Sequence, residues 1–160
     1  MKRQEKYQDT KTFHYHNANP KNRITGDCTF RAVSTALEQP WEQTVMEMAE
    51  LSCKTGYAIN DKKGIERYLK SKGWVMQKQP KKPNGTKYTG KEFCELIQHW
   101  VWDDEVLGCE WKDGVIIEHN IIANVGGHHI VAIIDGVIYD TWNSGGGCVG
   151  NYWTKGWDEK

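Results

Sequence analysis

The stretch from His129 to Trp142 constrains the fold more than any other part of the chain. It reads His-Ile-Val-Ala-Ile-Ile, then Asp135-Gly136, then Val-Ile-Tyr-Asp-Thr-Trp. Asp-Gly between two β-rich runs signals a two-residue hairpin, because its turn positions need positive φ. Such a turn dictates register. Ile134 opposes Val137, Ile133 opposes Ile138, Ala132 opposes Tyr139, and Val131 then faces Asp140. Side chains two positions apart share a face, so His129, Val131 and Ile133 lie together, opposite Ile138 and Asp140. His129 and Asp140 become diagonal neighbours, within reach of a carboxylate–imidazole hydrogen bond. His128 points to the other face, so the geometry selects His129.

Further β-rich runs at 115–117, 120–125 and 149–153 predict an antiparallel sheet over 114–153. Upstream, the period is helical. Asp27 is expected to cap a helix at 28–38 with Phe30, Val33, Ala36 and Leu37 as its apolar stripe. Pro40 opens a second helix at 41–52, buried through Trp41, Val45, Met48 and Ala49. A third follows Asp61, with Ile65, Tyr68 and Leu69 inward and Gly73 as its stop; a short strand follows at 74–77. The stretch 78–87, with Pro80, Pro83 and Gly85, reads as a basic, solvated loop. Thr89-Gly90-Lys91-Glu92 is a capping box for a fourth helix carrying Phe93, Leu96, Ile97 and Trp100. Residues 1–26 are expected as an extended lead-in. The pattern is a single α+β domain over 1–160, helical across 27–100 and sheet across 114–153.

Composition limits the function. Lys+Arg and Asp+Glu balance at 21 each, so no bulk field draws the chain to nucleic acid or an anionic membrane. No apolar run reaches the roughly 18 residues of a membrane helix. The polar start Met-Lys-Arg-Gln-Glu-Lys has no hydrophobic run behind it, so a cytoplasmic protein is expected. Cys28, Cys53, Cys94, Cys109 and Cys148 are scattered, without paired spacing, and read as reduced thiols rather than as a disulfide scaffold or zinc site. No metal, no cofactor and a monomer are the expectation. Eight Trp and seven Tyr against three Phe suit a cleft with one wet side.

Cys28 stands in Gly26-Asp27-Cys28-Thr29-Phe30-Arg31-Ala32. A helix N-terminus offers unpaired N–H groups and the positive end of the dipole, which favour a thiolate and could hold an oxyanion. Gly26 lets a substrate backbone come close. Asp27 opposes thiolate formation, and Arg31 at i+4 is placed to neutralise it. Position alone does not separate a nucleophile from a small buried hydrophobe. The hairpin adds a base, His129, and its orienting acid, Asp140, in the chain order Cys, His, Asp.

These features resemble the papain-like cysteine peptidases. There a cysteine opens the central helix, a histidine sits on a strand, and an Asn or Asp follows on the next. Asp140-Thr141-Trp142 looks like the counterpart of their Asn-Ser-Trp motif, which implies that Trp142 shields the pair. Asn22, six residues before Cys28, stands where those enzymes carry an oxyanion-hole glutamine, beside the Cys28 N–H. The two blocks around Cys28 and Asp140 more closely resemble a family of small phage and bacterial proteins. The resemblance implies a papain-like α+β fold and a cysteine hydrolase, a peptidase or isopeptidase acting on a protein or peptide. NlpC-type cell-wall amidases, amine-transferring or deamidating relatives of the triad, and a binding module on the same scaffold are the alternative readings.

Overall fold

The computed structural model describes residues 1–101, 110–112 and 114–156. Its elements are α1 (Arg3–Lys6), β1 (Phe13–Tyr15), α2 (Cys28–Ala36), α3 (Trp41–Thr55), α4 (Lys62–Ser71), β2 (Trp74–Gln77) and α5 (Gly90–Val101). There follow β3 (Glu110–Lys112), β4 (Val115–Ile117), β5 (Asn120–Val125), β6 (His129–Ile134), β7 (Val137–Asp140) and β8 (Val149–Lys155). The fold is α+β. Cys109 lies outside the described residues.

Among the described residues the main sheet has six strands in the order β1-β7-β6-β5-β8-β2, and β3 and β4 form a separate pair. The expectation of an antiparallel sheet is corrected at one edge: β1 runs parallel to β7, with Phe13 beside Ile138 and Tyr15 beside Asp140. The segment 1–26 is therefore not merely an extended lead-in. It forms α1 and supplies a sheet strand, because Phe13 is fully buried in the core that also takes Ile138. The short strand expected at 74–77 is present as β2 and joins the sheet against β8.

The hairpin register is as read from the sequence through three pairs, Ile134 with Val137, Ile133 with Ile138 and Ala132 with Tyr139. Asp135 and Gly136 have φ of 50° and 75°, the left-handed conformation that this turn demands. The ladder stops there, and Val131 and Asp140 are not a ladder pair.

Alternation along the strands builds two cores. Val131, Ile133, Ile138 and Phe13 pack with Phe93, Cys94 and Ile97 of α5. Ile130, Ala132, Ile122 and Trp153 pack with Ala32, Val33 and Ala36 of α2, Met48 of α3 and Leu69 of α4. Helices thus cover both faces of the sheet. The Thr89–Glu92 capping box forms: Glu92 N–H donates to Thr89 Oγ1 at 3.1 Å, and Thr89 N–H to Glu92 Oε1 at 3.0 Å. No helix among the described residues is long and apolar enough to cross a membrane.

Helix α2 lies along β6 in the same sense. Its start contacts Ile130, and its end is held by Asn120 Nδ2 donating to the Ala36 carbonyl at 3.0 Å, where Asn120 pairs with Ile134. The first residue of α2 therefore meets the first residues of β6.

Candidate active site

Cys28 begins α2, half-buried, with the His129 ring and the Ile130 backbone near enough to its thiol to favour the thiolate. His129 Nε2–H donates to Asp140 Oδ2 at 2.5 Å. With Nε2 committed to the acid, Nδ1 is the nitrogen left for the sulfur. The structure brings together the three residues singled out from the sequence, Cys28, His129 and Asp140.

Asp140 is 1% exposed and fully engaged. Besides His129 it accepts from Arg31 Nη1 at 2.7 Å, from the Thr141 N–H at 2.7 Å and from Ser144 Oγ at 3.3 Å. Burial alone pushes its carboxyl up, but the bonds from His129 and Arg31 outweigh this and hold it below its ordinary value. Burial likewise opposes charge on His129, yet Asp140 and the Cys28 sulfur raise it to about 9. Burial pushes the Cys28 thiol up; His129, the Ile130 backbone and the Arg31 charge bring it below the usual thiol value. Both shifts favour a thiolate–imidazolium pair.

Arg31 does more than the sequence suggested. Its Nε donates to Asp27 Oδ1 at 2.9 Å, the expected i+4 pair, while its other arm clamps Asp140. Asp27 does not cap α2 with its side chain, contrary to expectation. Its carboxylate is drawn inward, accepting from Arg31, from Asn19 Nδ2 at 3.2 Å and from Trp41 Nε1 at 3.1 Å. A buried carboxylate needs such donors more than the exposed turn needs a cap. The carboxylate beside Cys28 is thereby tied to a cation rather than left facing the thiol.

Trp142 covers the pair from outside: its ring centroid is 4.9 Å from that of His129, and it stays 37% exposed. Gly26 is open; a Cβ there would meet nothing within 4 Å. Asn22 is exposed in a left-handed turn at φ 52°, its Oδ1 accepting from Asn17 at 3.3 Å. His128 is exposed beyond the Gly126-Gly127 turn and takes no part in the pair. Among the described residues no cluster of His, Cys, Asp and Glu could hold a metal ion.

Sequence reasoning missed the Arg31–Asp140 pair, Ser144, Asn19 and Trp41. Arg31 and Ser144 lie close in sequence to Cys28 and Asp140, but nothing local links residue 31 to residue 140. Comparison with known proteins finds no family model, no curated protein and no solved structure that matches the chain.

Proposed function

We propose that this chain is a cysteine-dependent hydrolase of papain-like type, a peptidase or isopeptidase that cleaves an amide bond in a protein or peptide in the cytosol. The observation that carries this reading is the continuous Cys28–His129–Asp140 chain at a helix N-terminus, with Asp140 bonded to His129 at 2.5 Å.

In this reading the Cys28 thiolate attacks the substrate carbonyl, forming the C–S bond, and the carbonyl electrons move onto oxygen. The Cys28 N–H at the start of α2 stabilises that oxyanion. Asn22, the amide six residues before Cys28, is the second donor in this reading. The imidazolium of His129 delivers its proton to the leaving amine as the C–N bond breaks, which yields a thioester. His129, now neutral, takes a proton from water, whose oxygen attacks the thioester and returns Cys28 as thiolate. Asp140 keeps Nε2 protonated and the ring oriented, and Arg31 keeps Asp140 ionised and in place. Trp142 shields the imidazole–carboxylate bond from water, which strengthens it.

The test is thiol labelling and peptide cleavage by the wild type and Cys28→Ala. Cys28 is expected to react far faster with an alkylating reagent near neutral pH than the exposed Cys148 or the buried Cys94. Cys28→Ala is expected to lose peptide cleavage while melting at a similar temperature. A Cys28 no more reactive than Cys148 and Cys94 refutes the nucleophile assignment.

A further inference from the structure

Charge is spread unevenly along a chain whose total is zero. From Asp61 to Lys87 there are nine lysines and arginines against two carboxylates, Asp61 and Glu66. This stretch comprises α4, β2 and the basic loop that follows. Two of its cations are neutralised, Lys72 by Glu47 and Lys82 by Glu92. The other seven have no carboxylate partner among the described residues.

On α4, Lys63, Arg67 and Lys70 fall at i, i+4 and i+7 on the outward face, because Ile65, Tyr68 and Leu69 take the buried one. With Tyr57 and Glu66 they border a depression of about 350 Å³. The Tyr57 ring lies under both Lys63 Nζ and Arg67 Cζ, 5.7 Å and 5.0 Å from its centroid. That contact holds the two cations side by side against their mutual repulsion. In the loop, Lys81 and Lys87 are partners in an antiparallel bridge. Like charges directly opposite each other are unfavourable, and an anion placed between them removes that cost.

Three depressions lie in a row. The second, of about 360 Å³, shares Glu66 with the first and is lined by Lys62 and by apolar Ile65, Ile130 and Trp153. The third, of about 460 Å³, shares Met76 and Gln79 with the second and is bordered by Lys78 and Lys81. Glu66 is the single carboxylate in the three linings, set against Lys62, Lys63, Arg67, Lys70, Lys78 and Lys81. The row is thus cationic at both ends and apolar in the middle. The middle reaches the nucleophile: Ile130 lines it, and the Ile130 backbone lies beside the Cys28 thiol.

An acidic peptide segment matches this arrangement better than a nucleic acid does. The ring among the α4 cations, Tyr57, already carries Lys63 and Arg67 and offers bases no open stacking face. The apolar middle suits an amino-acid side chain.

We infer that this row is a docking groove for an acidic stretch of the protein substrate, with carboxylates over α4 and the basic loop and an apolar residue between them beside Cys28; the inference rests on the hydrolase reading above. The test is fluorescence anisotropy with a labelled peptide that carries glutamates on both sides of a leucine, added to the Cys28→Ala protein. It should bind at least about tenfold tighter than the same peptide with glutamine for glutamate, and the difference should fade at about 1 M salt, where screening reaches about 3 Å. The acidic peptide should also protect wild-type Cys28 from iodoacetamide. Lys63→Gln with Arg67→Gln, and separately Lys81→Gln with Lys87→Gln, should each weaken its binding at least about threefold. All four residues are exposed, so both variants should fold as the wild type does. Equal affinity for the two peptides, binding that leaves Cys28 unprotected, or a preference that survives intact in either variant overturns the groove. So does a single-stranded oligonucleotide that displaces the acidic peptide at lower concentration than free acidic peptide does. In each of these cases a Cys28 that reacts rapidly with iodoacetamide leaves the hydrolase reading standing. A Cys28 inert to iodoacetamide without peptide overturns that reading and the substrate assignment with it.

Discussion

Replacing Arg31 with methionine removes the cation shared by Asp27 and Asp140. The three side chains are only 10%, 4% and 1% exposed, so solvent cannot take over the role of the guanidinium. Breaking a buried pair typically costs about 3–5 kcal/mol because it strands a charge. Here each carboxylate keeps other donors: Asp140 retains His129, the Thr141 N–H and Ser144, and Asp27 retains Asn19 and Trp41. These put the loss near the lower end, about 3 kcal/mol, which for a chain of this size lowers Tm by roughly 6–12 °C. The loss must also depend on pH. Asp140 is held below its ordinary carboxylate value, so its contribution is complete above that ordinary value and is lost as pH falls through the depressed one. The gap between wild type and Arg31→Met, measured by urea unfolding at pH 7 and again below about pH 4, should therefore narrow in acid. Arg31→Lys, which keeps the charge but not the two-armed geometry, should fall between them. A gap under about 1 kcal/mol at pH 7, or one that does not change with pH, would refute the argument that Arg31 clamps Asp140.

Three further outcomes are expected. The alkylation rate of Cys28 should level off below the ordinary thiol value, while Cys94, pushed up to about 12 by burial, should react only on unfolding; a common pH profile for the two would contradict the site electrostatics. His129 is raised to about 9, so its stabilising contribution is full below its unfolded value of about 6.5 and disappears as pH climbs to about 9. The wild-type advantage over His129→Gln in urea should shrink across that window, and a constant advantage would sink the assignment. Gly136→Ala should destabilise by more than about 2 kcal/mol, because φ is 75° and a Cβ would lie 2.6 Å from Gln98 Cγ and 2.7 Å from the Cys94 carbonyl of α5. A calorimetric shift within about 0.5 kcal/mol would show that the hairpin turn does not dock on α5 as described.

The sequence by itself determined whatever depends on neighbours along the chain. The Asp135-Gly136 turn pins three cross-strand pairs and brings His129 beside Asp140, because a two-residue turn leaves no freedom of register. The capping box at Thr89, the buried stripe of Ile65, Tyr68 and Leu69, and the placement of Cys28 at the first turn of a helix are local in the same sense. Only the tertiary structure decided the rest. That β1 closes the sheet edge parallel to β7 follows from burying Phe13 against a core assembled more than a hundred residues later, and no local period encodes that. Asp27 was legible as a cap from its position, but burial turned it to Arg31, Asn19 and Trp41 instead. Arg31 was legible as a partner for Asp27, four residues away. Its second partner, Asp140, lies 109 residues away, and packing α2 along β6 brings the two within 2.7 Å. Desolvation then makes that pairing obligatory, since neither charge has water to turn to.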